Sequence, residues 1–267
     1  MPFLRGIPAS RKQIPVLKLF FAYPETDLFI IQDRTHGKIT GISVRMNIRT
    51  RFPIYSAPER ATDLLVHIVG VVGLGYGVIW LIHTAMLSHS MLEKDVTLLY
   101  CGGILGTCLS SAAYNFCPPC RLKGGLQRLD QSIIFVAIAA TYTPFILLGG
   151  KGWASQWFCG VLWAMALAGI VAKMCFFTWS RRFHVIPYLC VAWIFFLCPD
   201  PQVWMLPSPA FFLIVLGLFF YCIGVVFYMR AGMPFSNALW HVMVVLGAGT
   251  HMAAVGALLL ACAPARG

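Results

Sequence analysis

The chain has 267 residues, of which 59% are hydrophobic and only 11% charged. Its mean hydropathy is +0.79. Soluble domains carry about 25% charged residues, so this composition excludes an ordinary soluble enzyme and describes a membrane protein. The net charge of +11 is spread along loops and reads as a topology signal rather than a nucleic-acid surface, so no nucleic-acid partner is expected.

In chain order, residues 1–58 are a basic amino-terminal segment without a span-length apolar run. Val16 to Tyr23 is too short to span and has no small-residue cleavage site, so it is not a signal peptide. Residues 1–45 are expected to be a disordered tail or an over-extended reading frame, with Met46 as the alternative start. A span needs about 20 mostly apolar residues. Candidates fall at 63–87, 94–115, 130–149, 153–175, 183–199, 207–229 and 238–262, the fifth being short. Residues 59–262 therefore form the membrane domain, and 263–267 a short tail.

Loop charges orient the bundle. Arg49, Arg51, Arg60, Arg121, Lys123, Arg128, Lys173, Arg181, Arg182 and Arg230 fall on one side; Lys94, Lys151 and Arg266 fall on the other. The asymmetry predicts an all-α, seven-transmembrane helix bundle in the cell (plasma) membrane, with a cytoplasmic amino terminus and an external carboxy terminus. The acids Glu93, Asp95 and Asp200 collect on the outer side.

Polar residues inside the spans gather at one end. Asp63–His67, Ser111–Asn115 and Asn237–His241 each share a spacing of four, which puts both members on one helix face. Asp130 opens the third span. Such groups are costly in hydrocarbon and mark function. A common chamber in the inner leaflet is the economical arrangement, against interhelical hydrogen bonds with no chemistry. His251, ten residues past His241, lies about 15 Å further along and reads as a core or second-chamber histidine.

Other features read as architecture. Gly73-x3-Gly77 and Gly102-x3-Gly106 allow close helix approach, and Pro144 is expected to kink the third span. Trp153, Trp157, Trp193 and Trp204 suit an interfacial aromatic belt. Eight of the ten cysteines lie in or beside spans and pack as small hydrophobes. Cys117-Pro-Pro-Cys120 differs, because CxxC in a loop suits redox exchange or metal binding, although no second pair completes a zinc site.

The chain resembles the hemolysin III and progestin/adipoQ receptor family of seven-span proteins. The likeness rests on Glu59-x3-Asp63-x3-His67 with Gly70, Ser111-Ala-Ala-Tyr-Asn115, Leu129-Asp130, Thr141-Tyr-Thr-Pro-Phe145 and Phe235-Ser-Asn-Ala-Leu-Trp-His241. It implies an inner-leaflet zinc site held by three histidines, with an aspartate orienting the bound water, in a superfamily that includes lipid amidases. The corresponding positions here are Asn115, Asn237 and His241, beside Ser111 and Asp130, so asparagine replaces two of the three histidines. Zinc prefers imidazole, thiolate or carboxylate. His241, Asp130 and His67 are then the better donors.

Three functions follow as expectations. The first is a metal-assisted hydrolase of a lipid amide or ester, with Asp130 taking the water proton and Ser111 or an asparagine amide stabilising the oxyanion. The second is a receptor or regulatory bundle that binds a membrane lipid or steroid without turnover. The third is pore formation, which the family name suggests; no span carries the continuous polar stripe a pore needs.

Overall fold

A computed structural model describes residues 30–35, 38–44, 55–150, 152–175, 181–230 and 232–262. Met46, Arg49, Arg51, Lys151, Arg266, residues 1–29 and the tail 263–267 lie outside the described residues. The chain divides into two units, Met1–Phe52 and Pro53–Gly267. The first contains an antiparallel hairpin of β1 (Ile30–Thr35) and β2 (Lys38–Val44), pairing Ile30 with Val44 and bulging between Gln32 and Arg34. That element was not expected from the sequence; it lies outside residues 59–262, the expected membrane domain.

The second unit is helical. Its elements are α1 (Ala57–Met86), α2 (Met91–Phe116), α3 (Arg121–Gly149), α4 (Trp153–Cys175), α5 (Arg181–Trp193), α6 (Ser208–Met229) and α7 (Ser236–Cys262). Among the described residues, all but α5 are long and apolar enough to cross a membrane. The chain is thus a multi-pass membrane protein with six such helices and one shorter apolar segment, Val185–Leu197.

Local chemistry sets the helix starts. Ser56 and Glu59 form a reciprocal capping box on α1, with Pro58 in the first turn, where its missing N–H costs nothing. The Ser90 hydroxyl accepts from the Glu93 N–H at 3.3 Å to open α2. Helix α3 differs from expectation: it starts at Arg121, nine residues before the apolar run, so Asp130 lies inside the helix rather than at its mouth.

Pro144 sits within α3, which runs on through it. Neighbouring polar groups serve this stretch. The Thr143 hydroxyl donates to the Ala139 carbonyl at 2.7 Å and accepts from the Trp163 indole at 3.1 Å.

The core packs large buried rings, including Tyr100, Tyr142, Phe135, Phe145 and Phe195, among aliphatic side chains. Tyr142 stacks on Phe195 with ring centres 4.5 Å apart. The expected glycine seams are partly shifted. Gly73 and Gly102 have open space where a side chain would stand, whereas the expected Gly77 and Gly106 lie against Met252 and Ile133, and Gly70 meets Val245. Two glycines seven residues apart on α1 thus face two side chains seven apart on α7, which brings these helices close from just past His67 to the level of His251.

The four tryptophans of the expected belt are all exposed, and Asp200 is buried, accepting from the Ser155 hydroxyl. Cys101, Cys159 and Cys198 are buried free thiols, as expected of small core residues.

Candidate functional site

Helices α1, α2 and α7 bring the paired polar residues together. The hub is Asp63, buried one turn before His67. Its carboxylate Oδ1 accepts from His241 Nδ1 at 2.6 Å, and Oδ2 accepts from Asn237 Nδ2 at 3.2 Å. The backbone carbonyl of the same residue accepts from His67 Nδ1 at 2.7 Å.

These contacts dictate tautomers. A carbonyl oxygen only accepts, so His67 Nδ1 carries hydrogen and, in the neutral ring, Nε2 is a bare lone pair. By the same logic the carboxylate holds the His241 Nδ1–H and leaves its Nε2 free. Both free nitrogens point at one hydroxyl: Ser111 Oγ lies 3.3 Å from His67 Nε2 and 3.5 Å from His241 Nε2. The imidazole rings meet edge to face with centres 4.4 Å apart. Phe116 covers the outer side of His67 with ring centres 5.1 Å apart.

Asparagines complete the rim. Asn115 Nδ2 donates to the Ser111 carbonyl at 2.9 Å and approaches Ser111 Oγ at 3.4 Å. Asn237 Nδ2 also donates to Asn115 Oδ1 at 3.2 Å. Both amides, expected as candidate metal ligands, are therefore engaged with Asp63, Ser111 and each other.

Asp130 stands apart from this network. It is half-buried on the wall of the same cavity and has no hydrogen bond among the described residues. The cavity holds about 160 Å³ and runs from His67, Ser111, Asp130 and His241 toward His251, between otherwise apolar walls. His251 is buried and donates Nε2–H to the Ile214 carbonyl at 3.0 Å, in keeping with a core histidine that also borders the chamber.

Among the described residues, one group of donors could hold a metal: Asp63, His67 and His241, each offering an atom within 4.8 Å of the others. Two imidazoles and a carboxylate suit zinc or a similar divalent ion. The donor chemistry therefore fits a metal, with Asp63 and His67 standing in for the expected asparagine positions. Asp63 was expected in the chamber as the partner of His67 but not among the ligand candidates, and its spacing of four from His67 was the available signal.

Beneath the site, Glu59 ties the two helix starts together. Its carboxylate accepts the Phe235 N–H at 3.0 Å, holding Phe235 at φ 59° in the left-handed region just before α7.

Comparison with known proteins identifies the family. The chain is 28% identical over 206 residues to "Hemolysin-3 homolog" of Bacillus subtilis, covering 73% of this chain and 91% of that protein. It is 30% identical over 119 residues to "Hemolysin-3" of Bacillus cereus, covering 45% of this chain and 54% of the relative. Human "Monocyte to macrophage differentiation factor" is 27% identical over 127 residues, 47% of this chain and 52% of the relative. No solved structure matches the chain. Residues 58–252, which contain every residue of the polar cluster, match the family described as Haemolysin-III related, and the chain belongs to that family.

Proposed function

We propose that the chamber is the active site of a membrane-embedded hydrolase that cleaves an ester or amide bond of a membrane lipid. The observation that carries this reading is the pair of imidazoles, each anchored at Nδ1 by Asp63, that turn their free Nε2 atoms on Ser111 Oγ. An oxygen held there, from Ser111 or from a water beside it, meets a base that is already oriented. Asn115 Nδ2, 3.4 Å from the same hydroxyl, supplies a donor for charge developing on oxygen. Asp130, on the cavity wall, is placed to accept or return a proton.

If His67, His241 and Asp63 hold a divalent ion instead, zinc by family resemblance, their donor atoms are spent on it and Asp130 is the base. Such an ion, when bound, polarises a carbonyl and acidifies water. The largely apolar cavity suits an acyl chain whose polar linkage reaches the cluster.

This reading takes the chain as seven-spanning, with the amino terminus and the chamber on the cytoplasmic side of the cell membrane. In α5, 13 α-helical residues rise about 20 Å. The following 3₁₀ turn of four residues adds about 8 Å. Together they approach the roughly 30 Å of a hydrocarbon core.

The test is turnover of fluorogenic lipid esters and N-acyl amides by the chain in lipid nanodiscs, with metal content measured beside it. Wild type should turn over one class, and His241→Ala and Asp130→Ala should each lose about 100-fold or more. No turnover of either class would overturn the reading. A second reading, a lipid or steroid receptor without catalysis, is supported by the apolar walls that dominate the cavity. Saturable binding of a lipid or sterol probe with no turnover would establish it instead.

A further inference from the structure

The turn between α2 and α3 contains a feature the chamber does not use. Cys117 caps the end of α2 and Cys120 caps the start of α3. Their sulfurs lie 3.6 Å apart. The two residues between them are both proline, which fixes φ and leaves the turn few alternatives. Neither sulfur is deeply buried, unlike those of Cys101, Cys159 and Cys198.

We propose that Cys117 and Cys120 form a dithiol–disulfide site that exchanges with low-molecular-weight or protein disulfides. The sulfurs need to close by roughly 1.5 Å to reach the bonded distance of about 2.05 Å, which side-chain rotation supplies. In the exchange, the Cys120 thiolate attacks a sulfur of the incoming disulfide, forming a mixed disulfide and expelling one thiol. Cys117 gives up its proton and attacks the Cys120 sulfur, expelling the second thiol. The incoming disulfide is reduced to two thiols as the chain's two thiols are oxidised.

Two further contacts fit this assignment. The Lys123 N–H at the start of α3 donates to the Cys120 carbonyl at 3.2 Å, and its closeness to the sulfur holds the Cys120 thiol below the usual range. The Lys123 ammonium donates to the Tyr114 carbonyl at 3.0 Å and to the Cys117 carbonyl at 2.5 Å, which keeps the turn closed. Because Ser111 and Asn115 lie in the last turns of α2, the disulfide would clamp the helix end that carries them. The site stands independently of the hydrolase reading.

The test is thiol trapping on the full chain in detergent, equilibrated anaerobically in glutathione buffers from reduced to oxidised. Trapped thiols are alkylated and the peptides weighed. The peptide holding both cysteines should lose both alkylation sites together in oxidised buffer and regain them in reduced buffer. Cys101, Cys159 and Cys198 should stay thiols throughout. In Cys120→Ser, Cys117 should remain a thiol or a glutathione adduct. The proposal is overturned if both sulfurs stay alkylatable in excess oxidised glutathione, if the pair stops at glutathione adducts, or if either bonds to another cysteine.

Discussion

Asp63 and His241 are 178 residues apart in sequence and 2.6 Å apart in the fold, carboxylate oxygen to ring Nδ1. This bond joins α1 to α7 and sets which nitrogen of His241 is left to do chemistry. Asp63→Asn keeps the shape but removes the charge, and its amide no longer obliges Nδ1 to carry the hydrogen. A hydrogen bond to a charged group contributes about 1.5–3 kcal/mol, against about 1 kcal/mol for neutral partners. Thermal unfolding in detergent should therefore show Asp63→Asn, which weakens the short 2.6 Å bond to His241, losing about 2 kcal/mol, and Asn237→Ala, whose bonds to Asp63 and Asn115 are both a longer 3.2 Å, about half that. Equal losses for the two variants would contradict the role of Asp63 as hub.

Much of this cluster was legible in advance, for a simple reason. A spacing of four places two residues on one helix face whatever the neighbours are, so His67, Ser111, Asn115, Asn237 and His241 declared their faces locally. What they touch is a tertiary matter. Asp63 reads as the partner of His67, yet it holds that ring by its backbone carbonyl and sends its carboxylate to α7. Asp130 reads as a helix start because hydropathy changes there, while the helix itself begins earlier, at Arg121. Hydropathy marks where a helix becomes apolar, not where it begins. The glycine seams were half legible: Gly77 and Gly106 sit at close contacts with Met252 and Ile133, whereas Gly73 and Gly102 face open space, because a four-residue spacing says approach is allowed and only the packing selects which glycine is used.

Glu59 supports the site from below. It closes the α1 capping box and accepts the N–H of Phe235, a non-glycine residue in the left-handed region. Glu59→Ala removes both restraints, and loss of a cap alone costs about 1 kcal/mol. The expected outcome is a lower Tm, together with faster amide exchange at residues 235–237 but not at the far end of α7. Unchanged exchange there would show that Phe235 keeps its conformation without the carboxylate.

The two thiols of the α2–α3 turn should differ in reactivity. Cys120 is held low by the Lys123 N–H and by the thiol of Cys117, whereas burial and the hydrogen bond to Cys120 push Cys117 up. A lowered thiol is more ionised at a given pH, so Cys120 should alkylate first with limiting iodoacetamide at pH 7. Its rate should level off at a lower pH than that of an ordinary thiol, near 8.5. Cys117 reacting first, or both at one rate, would reverse the assignment of attacking sulfur.

A final prediction concerns the wall where α6 meets α7. Gly217 lies against His251 and Thr250, and a Cβ there would come within 2.8 Å of Thr250 Oγ1 and closer still to the imidazole. His251 is fixed by its bond to the Ile214 carbonyl, so it cannot yield without losing that partner. Overpacking a tight core costs about 1–3 kcal/mol, and Gly217→Ala should lose stability in that range. Gly73→Ala is the matched control, since its Cβ would meet nothing within 4 Å. Its stability should stay within about 0.5 kcal/mol of wild type. Because His251 borders the cavity, Gly217→Ala should also weaken binding of any lipid that reaches this depth, whereas Gly73→Ala should leave it unchanged. Equal behaviour of the two variants in unfolding and in lipid binding would show that His251 is free to move.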